Sequence, residues 1–90
     1  MKEKRGRLEI IYDILVSVQN KNGRIKPTHL LYKSNLSYQR MNAYIDELIR
    51  KGLMVKDFDK NSKFFMLTDN GYEFLAEFKR IKEFTDSFGL

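Results

Sequence analysis

Three long hydrogen-bonding side chains, Gln39, Arg40 and Asn42, lie close together in the stretch SNLSYQRMNAY that begins at Ser34. A glutamine or asparagine amide can pair with the edge of adenine, and an arginine can bind guanine or a backbone phosphate. At the exposed start of a helix, such side chains could enter the major groove of double-stranded DNA, which admits one α-helix. The alternative is an ordinary solvated helix face, which carries the same residue types.

Other polar and basic residues could add contacts to the sugar-phosphate backbone. Some lie at the start of a predicted second helix, where free amides favour an anion; others lie on a predicted hairpin, or near the N-terminus as a flexible arm. The full set of candidate DNA-binding residues is Ser37, Tyr38, Gln39, Arg40, Asn42, Ala43, Lys26, Thr28, Lys60, Asn61, Lys63, Arg5 and Arg7.

Four carboxylates oppose this interpretation. Asp46 and Glu47 follow the polar cluster and would repel phosphates, so we expect contact to stop at about the second turn of that helix. Asp57 and Asp59 lie near the lysines of the hairpin and offset their charge, so a plain surface hairpin remains an alternative there.

Charge is distributed unevenly along the chain. The formal net charge is +5, yet residues 1–45 contain nine Lys or Arg against three acidic residues, while residues 46–90 contain eight against nine. Such asymmetry suggests that one face turns toward a polyanion. A merely soluble basic surface is the other reading.

Composition excludes several classes of protein. Ninety residues, 42% of them hydrophobic, suffice for one small core and one domain, residues 1–90. The lack of cysteine excludes disulfides and, with the single His29, a His/Cys zinc site. No P-loop, dinucleotide fingerprint or nucleophile elbow is present, so we expect no enzyme, no cofactor and no small-molecule ligand. Without a signal peptide or an apolar span, we expect a cytoplasmic, nucleoid-associated protein with no membrane partner.

The pattern of apolar and turn-forming residues predicts the elements that position these side chains. A first helix from Gly6 to Gln19 has an apolar face of Leu8, Ile11, Ile14, Leu15 and Val18, and a short strand covers 24–26. Pro27 begins a second helix, with Thr28 able to cap it, that runs to about Lys33 and buries Leu30, Leu31 or both. Ser37 caps a third helix that buries Met41, Ile45 and Leu48 and ends before Gly52.

The second half of the chain predicts a hairpin and a long helix. Strands at 53–58 and 63–67 bracket a loop at 59–62, and Thr68 caps a helix from Asp69 to about Phe88. Two helices joined by a short turn and followed by a hairpin form a winged helix-turn-helix, an α+β fold that is mainly α.

The last helix carries an apolar band that is wider than packing on one small domain requires. The residues expected at a dimer interface are Phe74, Phe78, Ile81, Phe84 and Phe88. Two copies packed antiparallel would bury such a stripe, and the 69–88 helix would then serve dimerisation. The alternative is that these side chains fold back over the first helix.

Four short segments carry a resemblance to a known family. They are Leu8-Glu9-Ile10-Ile11, Asn35-Leu36-Ser37-Tyr38, Tyr44-Ile45 with Leu48, and Met66-Leu67-Thr68 followed by Gly71. Together, over roughly residues 7–82, they resemble the archaeal ten-kilodalton winged-helix DNA-binding proteins of the 10a type and related archaeal winged-helix transcriptional regulators. The resemblance implies a homodimer held by an antiparallel coiled coil of C-terminal helices, with each winged domain presented to double-stranded DNA. That family extends its last helix well past the domain, so we expect a shorter dimer here, where the sequence ends at Leu90.

These observations predict double-stranded DNA binding, as a transcriptional regulator or a chromatin-type protein, with the third helix in the major groove. The alternative function is a winged-helix protein-interaction module that docks a partner through its aromatic C-terminal helix. A small-molecule-sensing regulator is a third possibility, for which the aromatic residues offer no polar anchor.

Overall fold

The chain folds into helices packed on one side of a small antiparallel sheet. The structure, a computed structural model, describes residues 5–90. The elements are α1 (Arg7–Gln19), β1 (Arg24–Ile25), α2 (Pro27–Ser34), α3 (Tyr38–Arg50), β2 (Met54–Asp59), β3 (Ser62–Leu67) and α4 (Asp69–Ser87). This order is the winged helix-turn-helix that the sequence predicts, and the α+β, mainly α, fold class is confirmed.

The sheet places β3 in the centre, in the order β1-β3-β2. The β2–β3 register runs from Met54 opposite Leu67 to Asp59 opposite Ser62. The wing therefore closes in the two residues Lys60 and Asn61, both with positive φ (49° and 69°). Such a turn matches the twist of paired strands. The four-residue loop predicted at 59–62 is wrong because its outer residues belong to the ladder.

The core lies between α1, α3, the sheet and the start of α4. Its buried apolar residues are Ile10, Ile11, Ile14, Leu15, Val18, Ile25, Leu30, Leu36, Met41, Ile45, Leu48, Met54, Phe65, Leu67 and Leu75. The predicted face of α3 is confirmed. Leu8, predicted to be in the core, is instead 57% exposed, whereas Ile10 is 3% exposed. Leu8 lies in the first turn of α1, beyond the edge of the core.

Side chains cap two helices at the predicted positions. The Ser37 hydroxyl accepts a hydrogen bond from the Arg40 amide at 3.2 Å. Thr68 Oγ1 accepts from the Gly71 amide at 3.0 Å and donates to the Gly52 carbonyl at 2.6 Å, which ties α4 to the turn after α3. Thr28 does not cap α2: Lys26 occupies the cap position without a side-chain bond, and Thr28 lies inside the first turn.

The two halves of α4 differ in their packing. Phe78 stacks on Tyr12 of α1, with ring centroids 5.0 Å apart, and meets Phe74 edge-on at 6.0 Å. Folding back over the first helix therefore describes Phe74 and Phe78. Beyond them Ile81, Phe84 and Phe88 remain 64%, 64% and 66% exposed.

Candidate nucleic-acid interface

The start of α3 presents its polar side chains outward. Because the Ser37 cap fixes where α3 begins and because its apolar face is buried, the opposite side faces solvent. Ser37, Tyr38, Gln39, Arg40 and Ala43 are exposed and Asn42 is half-buried. These six candidates share one end of one helix, as the sequence predicts.

The two arginines near the N-terminus are bound to the domain. Arg5 Nη1 lies 2.8 Å from Asp13 Oδ2, its Nη2 donates to the Ser34 carbonyl at 3.0 Å, and its side chain is only 17% exposed. Arg7 is the first residue of α1 and forms an ion pair with Glu47 of α3. The expectation that Arg5 and Arg7 form a flexible arm is therefore wrong, because each is held by a carboxylate.

The Arg7–Glu47 pair changes the electrostatics of α3. The hydrogen bond from Arg7 lowers the pKa of Glu47, and the same bond raises the pKa of Arg7, so both groups stay ionised. The Glu47 carboxylate, expected to repel phosphate, is thus met by a cation. Forty positions separate these residues, and no pattern in the sequence marks them as partners.

The wing shows a second match between acids and an arginine. Arg24 of β1 lies 3.2 Å from Asp57 Oδ2 and 3.1 Å from Asp59 Oδ2, and its guanidinium carbon lies 3.8 Å from the Phe64 ring centroid. The acids expected to offset the wing lysines are therefore paired with Arg24. Sequence reasoning missed this residue; its place in β1 beside β3 was the only available signal.

The remaining wing candidates, Lys60, Asn61 and Lys63, are exposed at and next to the tip. Strand alternation separates Lys63 from the Arg24 cluster, because its neighbour Phe64 points to the opposite face. Among residues 5–90, neither wing lysine forms an ion pair. The tip therefore carries two cations that no described carboxylate neutralises.

The start of α2 lies beside the wing. Lys26 and Thr28 are exposed there, and Lys26 Nζ lies 5.9 Å from the Phe64 ring centroid. The fold thus brings Lys26 to the outer face of the sheet next to Arg24. It gathers the candidates into three groups: the start of α3, the wing with the start of α2, and Arg7 at the side of α3.

Two other kinds of site were searched over the described residues. No helix within 5–90 is long and apolar enough to cross a membrane. In the same part of the chain, no three His, Asp or Glu side chains converge in a way that could hold a metal ion.

Comparison with known proteins agrees with this architecture. An uncharacterized protein of Methanocaldococcus jannaschii is 31% identical over 84 residues, which cover 93% of this chain and 80% of that protein. The structure is similar to Sso10a-2, a DNA-binding protein from Sulfolobus solfataricus, with a TM-score of 0.72, 25% identity and coverage of 94% and 90%. It is also similar to TubR bound to 24 bp of tubC from Bacillus thuringiensis, with a TM-score of 0.67, 25% identity and coverage of 77% of each chain.

The resemblance to the 10a-type proteins is thereby confirmed. A family model described as winged helix-turn-helix matches residues 4–86. Because that match spans nearly the whole sequence, the chain belongs to the winged helix-turn-helix family.

Proposed function

We propose that this protein binds double-stranded DNA, with the start of α3 in the major groove and the wing on the neighbouring backbone. It acts as a transcriptional regulator or a chromatin-type protein in the cytoplasm, associated with the nucleoid. One observation carries the proposal: three of the carboxylates nearest the candidate surface, Glu47, Asp57 and Asp59, are ion-paired. Arg40 and the wing lysines, by contrast, have no ionic partner among residues 5–90.

Two of the similar structures support this proposal. Sso10a-2 is described as a DNA-binding protein, and TubR was solved on 24 bp of tubC. Both share this chain's arrangement of helices and wing, so a surface for DNA on that arrangement is consistent with the exposed cations described above.

The test is binding to random-sequence duplex DNA, measured by fluorescence anisotropy across a salt series. The parent should lose affinity with a slope of about −0.9 per phosphate neutralised. The Gln39→Ala/Arg40→Ala variant should bind more weakly. Lys79→Ala removes one positive charge from the exposed side of α4 and serves as the matched control. If the parent fails to bind at low salt, or if the double variant binds like the control, the proposal is wrong.

A regulator and a chromatin-type protein differ in specificity. Selected duplex sequences should be compared with random DNA, because a regulator needs a preference of ~10³ or more for its site. A ratio near unity would assign the chromatin-type role.

For the C-terminal helix we propose a homodimer contact through the second half of α4. Ile81, Phe84 and Phe88 support it because they are exposed on one helix, and the rings of Phe84 and Phe88 lie 5.1 Å apart. Burying two Phe per chain would contribute roughly 3 to 6 kcal/mol before association costs. Phe74 and Phe78 already pack within the domain, so they would border this contact.

The competing function, a protein-interaction module, uses the same aromatic residues. Light scattering on the parent and on Phe84→Ser/Phe88→Ser distinguishes the two. A dimeric parent and a monomeric variant support the homodimer. A monomeric parent that does not bind DNA favours the interaction module.

A further inference from the structure

The side of α3 that faces the start of α1 carries four residues at helical spacing. Arg40, Ala43, Tyr44 and Glu47 are related by steps of three and four, so they form one stripe. Together with Arg7 they line an open notch of about 260 Å³. The notch lies at the edge of the surface assigned to DNA and has an arginine from each of two helices.

Glu47 holds one of these arginines. Its carboxylate binds Arg7 through Nη2, and its side chain is 16% exposed, whereas that of Arg7 is 57% exposed. A guanidinium has five N–H donors, so most of those on Arg7 remain available after this contact. Arg40, across the stripe, has no ionic partner within residues 5–90.

We infer that this notch binds one backbone phosphate of the DNA, and that Glu47 is a positioning residue that holds Arg7 beside Arg40 for this purpose. The inference rests on the proposed DNA binding. Two guanidinium groups outweigh one carboxylate, and arginine pairs well with phosphate because two of its donors can bind together. Ala43 leaves the space between them open. Residue by residue, Glu47 alone would repel DNA; with Arg7 it supports binding.

The sign of one mutation tests this role. If Glu47 only repels phosphate, Glu47→Ala should tighten DNA binding. If Glu47 positions Arg7, the variant should bind more weakly, and the salt slope should be shallower by about 0.9, the share of one phosphate. At ~0.1 M salt that slope corresponds to an affinity loss of about 8-fold. Asp46→Ala is the matched control: this neighbour makes no ion pair among residues 5–90 and its removal should tighten binding.

A double variant separates positioning from damage to the fold. Arg7→Ala should weaken binding to a similar extent. In that background Glu47 has no arginine left to hold, so adding Glu47→Ala should restore part of the affinity by removing a negative charge. A folding defect caused by Glu47→Ala would weaken both backgrounds and could not change sign.

The outcomes distinguish this inference from the function on which it rests. Weaker binding by Glu47→Ala, with partial recovery in the Arg7→Ala background, supports the positioning role. If Glu47→Ala tightens binding as Asp46→Ala does, or weakens it in both backgrounds, the positioning role is wrong while DNA binding stands. If the parent does not bind duplex DNA at low salt, both fall together.

Discussion

Replacing Arg24 by alanine should destabilise the protein and weaken its binding to DNA. Arg24 joins β1 to β2 through Asp57 and Asp59, and it stacks on Phe64 of β3. One side chain therefore holds all three strands of the sheet on its outer face. Without it, the two carboxylates lose their partner a few residues from the wing tip.

The expected loss of stability follows from the exposure of these groups. The side chains of Arg24, Asp57 and Asp59 are 35%, 40% and 53% exposed. At such exposure an ion pair contributes up to about 1 kcal/mol, and a guanidinium over an aromatic ring about 0.5 to 1 kcal/mol. Together, Arg24→Ala should lower the free energy of unfolding by roughly 1 to 2.5 kcal/mol.

Urea unfolding followed by circular dichroism, together with DNA anisotropy, would measure both effects. Asp57→Asn/Asp59→Asn is the matched control, because it breaks the same ion pairs from the other side. Both variants should lose stability, but Arg24→Ala leaves Lys60 and Lys63 facing two unpaired carboxylates, whereas the control removes the carboxylates. DNA affinity should therefore fall in the first and rise in the second. Unchanged stability in Arg24→Ala, or a fall in affinity in both, would refute the reasoning.

Three further predictions concern single residues. Gly71→Ala should destabilise by roughly 1 to 3 kcal/mol even though alanine favours helices, because its Cβ would lie 2.2 Å from the Leu53 carbonyl oxygen. In urea unfolding, Gly6→Ala, whose Cβ would meet only Glu9 Oε1 at 3.8 Å, should change stability by less than about 1 kcal/mol. Ser37→Ala should lower the thermal midpoint at a cost of about 1 kcal/mol, since it removes the cap of α3; no shift would show that the cap is dispensable. Because Arg7 lowers the folded-state pKa of Glu47, the pair stabilises the fold above the ordinary carboxyl pKa, and this contribution disappears as the pH falls through the lowered value. The stability difference between the parent and Glu47→Ala should therefore shrink between about pH 6 and pH 3; a constant difference would contradict the linkage.

Features that depend on neighbours along the chain could be predicted from the sequence. The buried face of α3 follows from the helical spacing of Met41, Ile45 and Leu48, and its first residue follows from the Ser37 cap. The same reasoning placed the cap of α4 at Thr68. It failed at Leu8, where the period was right but the helix extends beyond the core.

The role of Gly71 shows why spacing alone was insufficient. The resemblance placed this glycine at the strand-to-helix junction without giving a cause. In the structure, the Leu53 carbonyl approaches so closely that no side chain fits. Leu53 also accepts a hydrogen bond from the Thr68 amide at 3.2 Å, so the contact that excludes a side chain belongs to the junction itself. A contact across 18 positions has no local signal.

The surface charge was the least predictable property, because ion pairs join distant parts of the chain. The sequence shows a basic first half and a slightly acidic second half, which suggested that the first half alone faces a polyanion. In the structure, Arg7 and Arg24 from the first half neutralise Glu47, Asp57 and Asp59 from the second. The cations left around the candidate interface therefore come from both halves, including the wing lysines. Net charge reveals the surplus of cations, but the pairing decides where that surplus lies, and pairing is a property of the fold.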